Sequence, residues 1–212
     1  MTLLNWQRSV EQIVVANKNC RVLGFTSVHR GAGVSLISRN VAKTMAANSM
    51  RTLIIAMSEM QANPPWSSSD KPVAAGALRA SIVPATHGYD LLLGCDVDGR
   101  PIASNVVQLR QVLDAEFADY NHIILDLPPI SHVAADGLST VAISVICDRT
   151  LLVCAIGTDR SGEVAEAVSL LRSAGATVSG IVANEFKRAE SWQSMLKRFS
   201  KRRNNVAVPA QV

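Results

Sequence analysis

Three residues in the stretch TSVHRGAGVSLIS, residues 26–38, have the types and spacing to hold an anion: Gly31, Gly33 and Ser35. They fit the phosphate-binding pattern G-x-x-x-x-G-K-[ST]. In that pattern backbone N–H groups cradle the phosphates, a lysine reaches the outer ones and a Ser/Thr hydroxyl binds Mg²⁺. The lysine position holds Val34. The candidate cradle runs over Arg30, Gly31, Ala32, Gly33, Val34, Ser35 and Leu36, with Arg30 offering a substitute charge from within the loop. Two glycines after a strand equally fit an ordinary strand-to-helix turn that needs φ > 0.

A second candidate lies in YNHIILDLPPI, residues 120–130, where an apolar run ends in Asp126 and is followed by Pro128 and Pro129. An acidic residue at the end of such a strand holds Mg²⁺ or its water in phosphate-binding-loop proteins. The plainer alternative is a strand-end Asp capping a turn before two prolines. Taken with the loop about 90 residues upstream, Asp126 points to one fold. Ser35 and Asp126 are then the candidate Mg²⁺ residues, and Asp126 the candidate catalytic one.

The elements that must position these residues follow from the hydrophobic pattern. Short β-branched apolar runs at 21–27, 52–57, 90–94, 122–127, 150–157 and 178–185 predict strands. Helical patterns fall near 34–48, 104–118, 136–146 and 161–174. This alternation predicts an α/β fold, a single domain with a doubly wound, mostly parallel sheet buried on both faces. Residues 1–18 read as a leading helix with Leu3, Trp6, Val10, Ile13 and Val14 on one stripe. Residues 19–187 form the main unit, and 188–212 a basic amphipathic tail. The Pro/Ser-rich stretch 58–72 reads as a loop, and the last residues as a frayed end.

Net charge is +4, but Lys187 to Arg203 carries seven Lys/Arg and one Glu, so the rest is slightly acidic. Within the tail, Trp192, Met195, Leu196 and Phe199 repeat at i, i+3, i+4, i+7, while Lys197, Arg198, Lys201, Arg202 and Arg203 supply charge. Such a helix can lie on an anionic leaflet, enter a groove of a membrane partner, or pack on its own domain. Nucleic acid is disfavoured, because no aromatic platform or recognition motif accompanies the charge. No apolar run approaches the roughly 20 residues that span a bilayer, and the start lacks a secretory core, so a cytoplasmic protein is expected. The four cysteines form no C-x-x-C pair and read as buried or incidental thiols.

The blocks RVLGFTSVHRGAGVSLISRNVAKTMA, RTLIIAM, YNHIILDLPPI and LLVCAIGTDRSGEVAEAVSLLRSAGATVSGIVANEF resemble those of the bacterial tyrosine kinases (BY-kinases). These are P-loop NTPase-like partners of polysaccharide co-polymerases in capsule and exopolysaccharide synthesis, related to ParA/MinD-type ATPases. The resemblance implies ATP/ADP and Mg²⁺ as cofactors and an inner-membrane co-polymerase as partner, here a separate polypeptide. It also implies ring-like or dimeric homo-oligomers, for which the leading helix is a candidate interface, and a position at the inner face of the membrane. By the same resemblance Asn184 aligns with a base-contacting Asn of related ATPases, although a strand-end turn residue explains it equally well. His29 falls at the ParA/MinD signature lysine.

The departures fall on the chemistry. Val34 replaces the loop lysine, Ala56 and Ser58 replace a pair of acidic residues after the second strand, and the C-terminal tyrosine cluster is missing. Only Tyr89 and Tyr120 remain. The expectation is a catalytically impaired regulatory or scaffolding partner of the co-polymerase. The alternatives are a divergent but active tyrosine kinase or ATPase, and a MinD-like positioning ATPase at the membrane.

Overall fold

The computed structural model describes residues 3–57, 76–94, 102–131 and 139–185. Helix α1 (Leu3–Ala16) leads into β1 (Val22–Ser27), α2 (Val34–Ala47) and β2 (Thr52–Ala56). A short α3 (Ala77–Ala80), β3 (Val83–Pro84) and β4 (Asp90–Leu93) follow, then α4 (Val106–Glu116) and β5 (His122–Asp126). The described chain closes with α5 (Thr140–Ile146), β6 (Arg149–Ala155), α6 (Ser161–Ser173) and β7 (Val178–Asn184). The sheet runs β3-β4-β2-β5-β1-β6-β7. All neighbours are parallel except β3, which pairs antiparallel with β4. The six predicted strands are present. Strand β3 and helix α3 were not anticipated, because two and four residues are too short for a periodic signal.

Every residue of β1, β2 and β5 is buried, as expected for central strands covered on both faces. Alternate residues feed two cores. Leu53, Ile55, Ile123 and Leu125 pack with Leu109, Leu113 and Phe117 of the α4 side. Leu23, Phe25, Ile54 and Ile124 pack with Ile37, Val41 and Met45 of α2. The stripe of α1 joins this second core: Val10 and Val14 are buried there, with Trp6 and Ile13 half-buried against it. A third small cluster, Val28, Leu152, Cys154 and Ala167, lies under α6.

The helix starts differ in a way that bears on function. The Asn105 side chain caps α4 by accepting from Gln108 N at 2.8 Å, and Ser139 caps α5 by accepting from Ala142 N at 3.1 Å. At α6 the Glu163 carboxylate accepts from Arg160 N at 3.1 Å. Helix α2 starts from left-handed Gly33 with no side-chain cap and no acidic residue in its first turn. Its first backbone N–H groups and the positive end of its dipole are therefore left for an outside anion.

The opposite, N-terminal end of the sheet is closed by polar packing. Tyr120 donates its hydroxyl to Asp90 Oδ2 at 2.6 Å beneath the Arg51 guanidinium, which lies 4.5 Å from the ring centroid. Arg79 reaches Asp119 at 2.6 Å, and Arg51 pairs with the same carboxylate. Burial, reinforced by Asp90, pushes the Tyr120 phenol up to about 12. Because the folded value lies above the usual one near 10, this contribution is complete below about pH 10 and is lost as pH rises toward 12. Spectrophotometric titration should show Tyr120 ionising with that late midpoint, and Asp90→Asn should bring it down. His122 is buried at this end too, with Nδ1 2.6 Å from Cys20 O and Nε2 3.0 Å from Met50 Sδ, which makes it a packing residue.

Cys20, Cys147 and Cys154 are buried. Burial pushes the Cys147 thiol up to about 12, so native alkylation at pH 8 should leave it unlabelled while denaturant exposes it. No described helix is long and apolar enough to cross a membrane.

Candidate nucleotide site

The loop between β1 and α2 sits at the C-terminal end of a central strand, where the order of an open α/β sheet reverses and ligands bind. Gly31 has φ 86° and Gly33 φ 92°. A side chain in this left-handed region costs roughly 1–2 kcal/mol, which accounts for glycine at both. Their surroundings differ. A Cβ on Gly31 would meet nothing within 4 Å, whereas one on Gly33 would stand 2.3 Å from Asn184 Nδ2.

Asn184 therefore has a definite place. It is 4% exposed at the end of β7, and its Nδ2 donates to Ala32 O at 2.8 Å. A residue 152 positions away braces the loop from inside the sheet. Two further contacts hold the loop: Ser27 Oγ donates to His29 O at 2.8 Å, and His29 Nε2 lies 3.4 Å from Glu163 Oε2 at the start of α6. The Arg160 backbone bond first, and His29 second, keep the Glu163 carboxyl below its usual range.

Val34 is the first residue of α2 and only 9% exposed, packed in the core with Ile37 and Val41. The position that would carry the loop's lysine is thus an apolar wall. The leading glycine of the phosphate pattern falls at Val28, a departure the sequence analysis missed. Val28 is buried with Leu152, Cys154 and Ala167, so it anchors the loop beneath α6. Ser35 is half-buried in the first turn, Ala32 is buried, and Arg30 and Leu36 are exposed.

Asp126 is 1% exposed at the end of β5. It is in parallel register with Phe25 on one side and Ala56 on the other. Ile124, two residues earlier, belongs to the α2-side core, so the period of two puts Asp126 on the face that α2 covers. Ala56, where the resemblance implies an acidic residue, shares that face one strand away. Its partner position Ser58 lies outside the described residues. The turn after Asp126 is pinned by two hydroxyls that sequence reading did not single out. Thr26 Oγ1 donates to Pro128 O at 2.7 Å, and Thr140 Oγ1 donates to the same oxygen at 3.1 Å. The only sequence signal for either was a polar residue inside an apolar run.

The arrangement brings together the loop from Arg30 to Leu36, Asp126 and Asn184 at one end of the sheet. For phosphate, the open space at Gly31 and the uncapped α2 terminus fit; for the charge that normally accompanies it, Val34 does not. Among the described residues no cluster of three His, Cys, Asp or Glu could hold a metal ion, so a cation here would rest on Asp126, the Ser35 hydroxyl and the phosphates. Trp192, Leu196, Lys197, Arg198, Phe199, Lys201, Arg202 and Arg203 lie outside the described residues.

No protein-family model and no curated protein matches the chain. Solved structures do. The kinase domain of the Escherichia coli tyrosine kinase ETK aligns with a TM-score of 0.62 at 20% identity, covering 86% of this chain and 74% of that one. The VpsO kinase domain gives 0.63 at 20% identity, over 88% and 100%. The MinD cell division protein of Aquifex aeolicus gives 0.58 at 18%, over 85% and 73%. The chain has the P-loop NTPase-like α/β fold that these tyrosine kinase domains and MinD share.

Proposed function

We propose that this chain is a BY-kinase-like protein that works by binding: a catalytically impaired regulatory or scaffolding partner of an inner-membrane polysaccharide co-polymerase in exopolysaccharide or capsule synthesis. The observation that carries the reading is Ala56 beside Asp126, with Val34 at the head of α2. The fold, the braced loop and the lone strand-end carboxylate are kept, while the charged groups expected around them are replaced by apolar ones. Each electrostatic donor removed from a phosphoryl-transfer site lowers the rate about 10²- to 10³-fold, so two lost together leave turnover at least roughly 10⁴-fold down. Tyr89 and Tyr120 are both buried, which leaves no accessible internal tyrosine as acceptor.

Nucleotide binding on this reading is weak. The backbone N–H groups of Gly31 to Leu36 would hold the phosphates, and Ser35 and Asp126 a Mg²⁺ that neutralises their charge. Residues 19–187 carry this unit. The test has two arms on the purified full chain: tyrosine phosphorylation and ATP turnover with an Asp126→Ala control, and co-purification with the cytoplasmic end of an inner-membrane polysaccharide co-polymerase. Complex formation without turnover supports the reading. Turnover abolished by Asp126→Ala overturns it in favour of a divergent kinase or ATPase, the reading favoured by the retained positive φ of Gly31 and Gly33 and the loop cation Arg30.

A further inference from the structure

Among the described residues strand β7 is an outer strand of the sheet, bordered by β6 alone. One of its faces is used: Val182 packs on the α2-side core, and Asn184 reaches the loop. The other face, carrying Ser179, Ile181 and Ala183, is exposed, with Ile181 at 53%. Ile181 is in register with buried Leu152, so this is the α6 side of the sheet. Helix α6 packs on Leu152 and Cys154 of β6 and reaches β7, yet it leaves Ile181 open. Between α6 and Ile181 runs a groove of about 560 Å³, in which Val164, Val168 and Arg172 of the helix alternate with small serine and alanine side chains. A strand that shows apolar side chains beside an open helix flank has not finished burying its surface.

We infer that residues 190–203 of this same chain occupy the groove, docked as a helix antiparallel to β7 through Trp192, Met195, Leu196 and Phe199. Chain continuity argues for this occupant. Residues 186–212 follow directly from the end of β7, whereas the segments 58–75, 95–101 and 132–138 connect elements on other strands. Of these, only the tail carries an apolar stripe at i, i+3, i+4, i+7. Lengths agree as well. Residues 186–189 can span about 13 Å, enough to reverse direction at the strand end. A helix over 190–203 is about 21 Å long, close to the roughly 23 Å of a seven-residue strand. Docking by the apolar stripe turns Lys197, Arg198 and Lys201 outward, since they lie on the opposite side of the helical wheel. The inference is independent of nucleotide binding.

Hydrogen exchange on the full chain, free of lipid and partner, tests it. The amides of 190–203 are expected to exchange at least about tenfold more slowly than an unstructured chain. Ile181→Asp should abolish that protection while β1 and β5 stay protected. Leu196→Asp, outside the domain core, should release 190–203 and speed exchange on α6 around Val164 to Arg172. Three outcomes overturn the inference: 190–203 unprotected in the wild type, protection that appears only with phosphatidylglycerol vesicles, or protection that survives both substitutions. The second would assign the apolar stripe to a membrane surface.

Discussion

Gly33→Ala is expected to cost about 3 kcal/mol of folding stability, against about 1 to 2 kcal/mol for Gly31→Ala, although both residues have the same left-handed backbone. The shared part is the αL penalty of roughly 1–2 kcal/mol. The difference comes from Asn184. A methyl group on Gly33 would stand 2.3 Å from Nδ2, an atom already committed to Ala32 O in a buried site. Moving that amide breaks its bond and leaves a buried donor unsatisfied, at about 1–3 kcal/mol. Urea denaturation of the two variants gives the comparison, and a double-mutant cycle isolates its cause. In an Asn184→Ala background the cost of Gly33→Ala should fall to that of Gly31→Ala. An undiminished cost would show that Asn184 does not brace the loop.

Val34→Lys is expected to raise affinity for a fluorescent ATP analogue with Mg²⁺ by about 30- to 1000-fold. A unit charge about 4 Å from a phosphate oxygen is worth roughly 4 kcal/mol at an effective dielectric near 20, of which about 2–4 survives desolvation. Val34 heads α2 at the edge of the core, so a lysine there can leave its stem on the apolar wall and extend its ammonium toward the loop. The added cation should lower ligand-free stability by about 0.5 kcal/mol, since it opposes the helix dipole. Val34→Met, similar in length and uncharged, is the control and should bind no better than the wild type. Wild type silent to millimolar nucleotide, with Val34→Lys bound, supports the binding-partner reading. Equal micromolar binding by both would mean that another group already supplies the charge, and would reopen the enzyme reading.

The strand and helix pattern, the place of the glycine loop between β1 and α2, and the strand-end position of Asp126 were all legible in the residues alone. Each depends on local signals: apolar period, glycine placement, and a carboxylate at the end of an apolar run. The short β3 and α3 were not legible, because their sequences carry too few residues for a period and are held by β4 and by the Asp119 and Glu116 carboxylates. Only the tertiary structure decided what Asn184, Thr26, Thr140 and Val28 do. Their partners lie 152, 102, 12 and more than 100 residues away, and no local pattern encodes such pairings. The same holds for Ala56. Its type is visible in the sequence, but that it stands beside Asp126 on the face covered by α2 follows from strand register. Register is set by which faces the whole sheet can bury, a property of the assembled fold and not of any one segment.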